Sequence, residues 1–277
     1  MIPLEDSAAD IIGKAQRGLQ ISDSQLAEKS GLAADQIRAA RDGSALDEAM
    51  IRAVAPVLEL HAESLLKLSR NEWTPENVEP IDGLAQFNST YGDMTVNAYL
   101  VWDPKSREAA AFDTGADARE MLKRAAVEDL TFMMILLTHS HPDHIEDLDG
   151  LSSGSGAPLY APENEPVADA TIIGEGDEFE LGSLKIETRL TSGHSPGGLT
   201  YVVRGLARPV AIVGDSMFAA SMGGGAVSYV DARRNNLEKI LTLPDETIVC
   251  PGHGPLTTVG KEKRENPFFA GKFNPTS

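Results

Sequence analysis

The segment THSHPDHIEDLDG, Thr138 to Gly150, places three histidines and several carboxylates directly after the apolar run TFMMILL at residues 131–137. An apolar run of this length, bounded by polar residues, is typical of a buried strand. The histidines therefore lie where a strand ends and a loop begins, which is the edge at which α/β folds place their reactive groups. This segment predicts an α/β fold with a functional site at a strand end.

The composition excludes several classes of protein. The 277 residues suffice for one large domain, or one large and one small, with a substantial core. The net charge of −18 argues against a general nucleic-acid or anionic-membrane surface, because such surfaces cluster Lys and Arg. The single cysteine, Cys250, lies in an apolar run and is expected to be a buried thiol. No signal-peptide pattern or membrane-length apolar run is present, so the expectation is a soluble cytoplasmic protein without membrane contact.

The chain divides into three regions by composition. Residues 1–72 carry apolar residues at helical spacing and lack aromatic residues, which predicts a small all-α domain. Residues 73–90 contain two prolines and several polar residues and are expected to form a linker. Residues 91–277 alternate short β-like runs, punctuated by glycine, with helical stretches, which predicts a layered α/β domain.

Seven metal-ligating side chains follow apolar runs in this α/β region. Four lie within one loop, and three come after other runs that end in a glycine: His139, His141, Asp143 and His144, then His194, Asp215 and His253. Imidazole and carboxylate donors suit zinc, iron or manganese. Four donors in one loop exceed what a closed tetrahedral site usually draws from one loop, which indicates two adjacent metals. The remaining histidine, His61, is expected to be an ordinary structural residue.

These motifs resemble the metallo-β-lactamase superfamily, and within it the glyoxalase II-like (hydroxyacylglutathione hydrolase-like) hydrolases. The resemblance covers about Tyr91 to Phe269 and rests on THSHPDH, the glycine-flanked His194, GDSMF with Asp215, CPGHGPLTTVGKEKRENPFF, and the short motif DTG at Asp113. It implies an αβ/βα sandwich, preceded here by the small all-α domain, with the site at one edge of the sandwich.

The resemblance also implies the roles of the donors. It implies two divalent metal ions, zinc by preference, with iron or manganese as alternatives. One ion would be held by His139, His141 and His194, and the other by Asp143, His144 and His253. Asp215 would bridge the two ions. A metal-bridging hydroxide, together with Asp143, is assigned the catalytic role in hydrolysis of a small-molecule acyl substrate. Asp113 is a candidate to orient an imidazole.

Two positions depart from the pattern of glutathione-thioester hydrolases. Those enzymes carry Lys and then Tyr shortly after the bridging aspartate, whereas this chain has Gly224 and Ala226. The departure argues against glutathione as part of the substrate. The glycines of MGGGAVS would alternatively suit a mobile lid.

The segment LAEKSGLAADQI, at residues 26–37, resembles a Cro/repressor-type helix-turn-helix. Residues 1–70 carry eight basic and eleven acidic residues, a net charge of −3, whereas DNA readers usually present a basic face. DNA binding is therefore disfavoured, and the helices are expected to pack on the hydrolase region or to form a homo-oligomer.

Several functions remain open from the sequence. The first is a dinuclear metallohydrolase acting on a thioester or a related acyl compound. The alternatives are a lactone hydrolase, a mononuclear iron persulfide dioxygenase, and a DNA-binding regulator with a hydrolase-like sensor domain. The full set of donors favours two metals over one.

Overall fold

The computed structural model describes residues 2–41 and 46–272; residues 1, 42–45 and 273–277, which belong to the predicted helical and hydrolase regions, lie outside the described residues. Five helices come first: α1 (Ala8–Gly18), α2 (Asp23–Ser30), α3 (Ala34–Arg41), α4 (Glu48–Val57) and α5 (Ala62–Ser69). Ser22 caps the start of α2, and Gly31 ends it in the left-handed conformation.

The first sheet is mixed and has six strands in sequence order. Its strands are β1 (Leu84–Tyr91), β2 (Met94–Trp102), β3 (Glu108–Phe112), β4 (Thr131–Leu136), β5 (Leu159–Pro162) and β6 (Thr171–Ile173). The helices between them are α6 (Arg119–Val127), α7 (Pro142–Ile145) and α8 (Leu148–Ser155). Strands β3 to β6 run parallel, so the loop after β4 opens at the carboxyl edge of a parallel sheet.

The second sheet also has six strands, in the order β14-β13-β10-β9-β8-β7. Its strands are β7 (Glu178–Leu181), β8 (Leu184–Leu190), β9 (Leu199–Arg204), β10 (Val210–Gly214), β13 (Ile248–Pro251) and β14 (Thr257–Thr258). A short hairpin, β11 (Met217–Phe218) and β12 (Ser221–Met222), follows β10. The remaining helices are α9 (Tyr229–Asn235), continued by a π-helical turn at Asn236–Ile240, and α10 (Val259–Glu265).

The two sheets pack face to face. Successive side chains along a strand point to opposite faces of its sheet, so they alternate between the core and the outer layer. In β9, Tyr201 and Val203 point into the core between the sheets, whereas Val202 points to the opposite face. In the first sheet, Phe112 points inward and Ala111 packs against α6 and α8. The helices therefore lie outside both sheets, which confirms the predicted αβ/βα sandwich.

The N-terminal helices form part of the outer layer on the second sheet. Ile11, Leu26 and Ile51 belong to one apolar core with Val202 and Val249 of that sheet. The helices thus bury their apolar faces against the α/β region, the first of the two arrangements that the sequence allowed.

The first sheet begins earlier than the sequence indicates. Leu84–Tyr91, most of which was expected to be linker, pairs antiparallel with β2 along its whole length. This edge strand is only partly buried and mixes apolar with polar residues, so it lacks the apolar run that identifies the other strands. None of the helices within residues 2–41 and 46–272 has the length and apolarity needed to cross a bilayer.

Candidate metal centre

The donors identified from the sequence lie together in two groups. The first contains His139, His141, His194 and Asp215, and the second contains Asp143, His144 and His253. They follow the ends of β4, β8, β10 and β13 or lie in α7, so both sheets contribute to the site. The sixth histidine, His61, caps α5 by accepting a hydrogen bond from the Ser64 backbone and lies outside both groups.

The first group brings three imidazole nitrogens close together. Nε2 of His139 and Nε2 of His194 each lie 3.0 Å from Nδ1 of His141. Oδ2 of Asp215 lies 3.4 Å from Nε2 of His194. The nitrogen and oxygen ligands of a tetrahedral zinc ion lie roughly 3.3 Å from one another, because each is about 2.0–2.1 Å from the ion. The spacing of this group fits a bound divalent cation.

The second group is built around Asp143. Oδ2 of Asp143 lies 3.2 Å from Nε2 of His253 and 3.6 Å from Nε2 of His144. The imidazole of His144 is fully buried, whereas the Asp143 side chain keeps 13% of its surface exposed. Of these two donors, Asp143 is therefore the one that solvent or a substrate can contact.

Asp215 lies between the two groups. Its Oδ1 atom is 3.3 Å from Nε2 of His144, and its Oδ2 atom is 3.4 Å from Nε2 of both His194 and His253. This position requires a glycine at 252, because a Cβ there would lie 2.1 Å from Oδ1 of Asp215 and 2.6 Å from the His144 ring. The PGH motif thus leaves room for the carboxylate as well as turning the chain.

Hydrogen bonds fix which ring nitrogen each histidine presents. Nδ1 of His144 donates to Oδ2 of Asp113 at 2.8 Å, so its Nε2 atom faces the site. Asp113 is buried and also accepts from the backbone and hydroxyl of Thr138, both at 2.7 Å. The predicted orienting contact of Asp113 is therefore present. Its backbone lies in the left-handed region at φ 56°, a strained conformation of the kind often found at functional sites.

Backbone and hydroxyl acceptors orient three more imidazoles. Nδ1 of His253 donates to the Thr95 carbonyl at 2.7 Å, and Nδ1 of His194 donates to the Gly224 carbonyl at 3.1 Å. Nδ1 of His139 lies 3.0 Å from the Thr138 hydroxyl, which donates its own proton to Asp113. Outer contacts of this kind hold ligand rings in place before a metal arrives.

The charged groups shift one another's pKa. Burial lowers the pKa of His144, but Asp215 and Asp113 more than offset this effect and raise it to about 10. Burial also lowers the pKa of His253, and Asp215 and Asp143 raise it to about 11. Burial raises the pKa of Asp215, but His144 and His253 outweigh it and hold that pKa well below its ordinary value. These imidazoles must release protons when they bind a cation.

Within the candidate metal centre, two of the buried atoms that lack a hydrogen-bonding partner among the described residues are Nε2 of His144 and Oδ1 of Asp215. Unsatisfied buried polar atoms are costly and rare, and these two lie 3.3 Å from each other. A cation ligated by both atoms would satisfy them. The donor chemistry, the spacing and these orphaned atoms agree in fitting divalent metal ions.

Sequence reasoning missed Glu165, which joins the loops of the first group. Its Oε2 atom accepts a hydrogen bond from the Ser140 backbone at 2.6 Å, and its Oε1 atom accepts one from the Gly197 backbone at 2.9 Å. Ser140 separates His139 from His141, and Gly197 follows His194 in the same loop. Glu165 is 3% exposed, and no motif in APENEP distinguishes it from a surface glutamate.

The sequence profile described as the metallo-beta-lactamase superfamily matches residues 91–253. Among curated proteins, the probable metallo-hydrolase YqgX of Bacillus subtilis is 34% identical over 206 residues, covering 65% of this chain and 95% of that protein. The hydroxyacylglutathione hydrolase GloC of Haemophilus influenzae is 30% identical over 206 residues, covering 64% and 93%. Among solved structures, TTHA1623 in a di-iron-bound form has a TM-score of 0.55 and 28% identity, covering 66% of this chain and 100% of that one.

Proposed function

The chain belongs to the metallo-beta-lactamase superfamily, and from this premise we propose that it is a dinuclear metal-dependent hydrolase of a thioester or a related acyl compound. The observation that carries the proposal is the arrangement of the donors in two adjacent groups, with the Asp215 carboxylate between them. A mononuclear site would need only one of these groups.

The donor residues define what each would contribute. We propose that His139, His141 and His194 would hold one ion, that Asp143, His144 and His253 would hold the other, and that Asp215 would serve as a ligand to both. Divalent metal ions, when bound, supply Lewis acidity and acidify a water molecule, so that it can attack a carbonyl at neutral pH. Zinc is the metal proposed first, and iron is the alternative because the related structure of TTHA1623 is di-iron-bound.

Asp143 is the proposed catalytic residue of the chain. Its carboxylate is partly exposed while its Oδ2 atom lies beside His253, so its other oxygen can accept a hydrogen bond from an attacking water. The hydrogen bond from His253 to Thr95 and the bond from His144 to Asp113 keep the neighbouring rings fixed during this step. The chain therefore orients the water and holds its proton at Asp143.

A thioester is the proposed substrate class because a thiolate leaves without strong general-acid assistance. The relationship to a hydroxyacylglutathione hydrolase supports this class. Gly224 has open space where a side chain would project, and its carbonyl orients His194, so this position serves the metal centre without supplying a substrate-binding side chain. We therefore propose a thioester of a thiol other than glutathione.

An assay panel tests the proposal. Protein loaded with zinc or with iron is incubated with S-acyl thioesters, with lactones, and with a persulfide while oxygen uptake is followed. We expect thiol release from thioesters, its loss on chelation and recovery on metal addition. The substitution Asp143→Asn should lower kcat by at least about 100-fold, within the range that general acid–base groups contribute. Oxygen uptake with persulfide, or turnover confined to lactones, would contradict the thioester assignment.

A further inference from the structure

The N-terminal segment reaches the metal centre although it precedes the matched residues 91–253. A Cβ placed on Gly254, directly after His253, would lie 3.4 Å from the Glu5 backbone nitrogen and 3.5 Å from the Pro3 carbonyl oxygen. The backbone of Pro3 to Glu5 therefore packs against the loop that carries a donor of the second group.

Buried contacts fix the position of the segment. Nζ of Lys14 lies 2.5 Å from Oδ2 of Asp6 and donates to the Met222 carbonyl at 2.8 Å. The Ser221 hydroxyl donates to the same Asp6 oxygen at 2.6 Å. The Lys14 and Asp6 side chains are only 12% and 10% exposed, so separating them would leave a buried charge without its partner. Asp6 thereby anchors Glu5, its neighbour in the chain.

The same contacts tie the segment to a donor histidine. The Lys14 ammonium lies 5.3 Å from the centre of the Phe218 ring, and that ring meets the His253 ring edge-on at 5.7 Å. The Lys14 ammonium thus interacts with Asp6 and with the hairpin formed by β11 and β12. It forms no ion pair with Glu5.

Glu5 is exposed, and its carboxylate forms no hydrogen bond or ion pair with any residue in the described ranges 2–41 and 46–272. Its Cβ atom lies 3.9 Å from the position that a Cβ on Gly254 would take, and Gly254 directly follows His253. A carboxylate without a hydrogen-bond or ion-pair partner among the described residues is therefore attached to the backbone that packs beside the His253 loop.

We propose that Glu5 is a specificity-determining residue that disfavours anionic substrates and favours thioesters whose leaving group is neutral or cationic. The inference rests on the proposed thioester hydrolysis and names the charge class of its substrate. A fixed negative charge near the reacting carbonyl repels a nearby carboxylate and attracts an ammonium group. Because Glu5 is exposed, the effect should be modest and should shrink at high ionic strength.

The test uses thioesters of one acyl group on three thiols: anionic 3-mercaptopropionate, neutral N-acetylcysteamine and cationic thiocholine. We expect Glu5→Gln to raise kcat/KM for the anionic thioester by about three- to tenfold and to lower it for the cationic one similarly, chiefly through KM. The neutral thioester should be unaffected, and Glu5→Lys should enlarge both changes. Addition of 0.5 M salt should reduce the differences, since the Debye length is then only a few ångströms.

The control is Glu246→Gln, an equal change of charge at an exposed residue before β13, whereas His253 follows the other end of that strand. This control should leave kcat/KM unchanged for all three thioesters.

The deciding quantity is the ratio of kcat/KM between the cationic and the anionic thioester. The same ratio in wild type, Glu5→Gln and Glu5→Lys would overturn the role of Glu5 while leaving the hydrolase assignment intact. If no thioester is hydrolysed, the hydrolase proposal fails. Calorimetric Kd values of free thiocholine and 3-mercaptopropionate then decide the Glu5 inference, which requires their ratio to shift in Glu5→Gln.

Discussion

Glu165 shows how one carboxylate can connect several of the proposed metal ligands. It accepts hydrogen bonds from the Ser140 backbone, from the Ser140 hydroxyl at 3.1 Å, and from the Gly197 backbone. The loops that carry His139, His141 and His194 are thereby tied to one buried side chain. Contacts of this kind outside the ligands commonly change metal affinity by 10–100-fold.

We predict that Glu165→Gln weakens binding of the ion at the first group. The amide offers one acceptor oxygen, so its NH2 group faces a backbone N–H that has lost its partner. Competition with a chromophoric chelator should give a Kd raised by about tenfold or more for one of the two ions. Glu163→Gln, at an exposed position of the same loop, is the matched control and should change neither affinity. Equal affinities in wild type and Glu165→Gln would refute this role.

At the scale of single residues the sequence predicts the donors and one of the residues that orient them, Asp113, but not Glu165. The donors are recognisable because each follows an apolar run, and HSHPDH packs four into one loop. Asp113 was inferred from the resemblance, and its contact with His144 is present. Glu165 and Glu5 carry no local pattern, because their roles arise from contacts with residues distant in sequence. Only the folded chain brings them to the site.

Helix α10 contains a fully buried carboxylate, Glu262. It accepts hydrogen bonds from the Thr257 hydroxyl at 2.6 Å, from the Asn266 amide at 2.8 Å and from the Ala220 backbone at 3.0 Å. These bonds connect α10 with β14 and with the turn of the β11–β12 hairpin. Burial raises the pKa of Glu262 to about 7, against the lowering effect of the hydrogen bonds.

The raised pKa of Glu262 predicts a trend of stability with pH. The unfolded chain releases this proton near 4.5 and the folded chain near 7, so the folded state binds more protons in between. The free energy of unfolding should therefore fall as pH rises through this window, by about 3 kcal/mol from this group alone. Glu262→Gln removes the titration, and its amide can still accept from Ala220 and Asn266 while donating to Thr257.

Urea unfolding at pH 4.5 and pH 8 measures this trend. From pH 4.5 to pH 8, the free energy of unfolding of Glu262→Gln should rise by about 3 kcal/mol relative to that of the wild type. The reason is that the wild type has to ionise a buried carboxyl over this range, whereas the variant does not. Glu238→Gln, at an exposed position, should show no such gain. A parallel pH dependence in Glu262→Gln and wild type would contradict the raised pKa.

The elements themselves were partly predictable. Continuous apolar runs such as RPVAIVGD and ETIVCPGH became β10 and β13, because strands buried on both faces need apolar residues throughout. Strand β1 was not recognised, since as an edge strand it buries its residues only in part. The segment HIEDLDGLSS, residues 144–153, is divided between α7 and α8.

Over the whole molecule, the N-terminal helices complete the sandwich. Their periodicity predicts helices, but it does not reveal the partner of their apolar faces. Ile11, Leu26 and Ile51 pack in one core with strands of the second sheet. We propose that residues 1–72 serve mainly as this cover and bring Glu5 to the site. The net charge of −3 in residues 1–70 gives little support to a role in reading DNA.

The central claim is that the two donor groups hold two metal ions in one chain. The most direct test is the metal-to-protein ratio after saturation with zinc or iron and removal of excess ion, measured by mass spectrometry of the metals. We predict about two ions per chain in wild type and in His61→Asn, which retains a helix-capping side chain outside both groups. Asp143→Ala should retain about one, because it removes a donor of the second group only. One ion per chain in the saturated wild type would contradict the account.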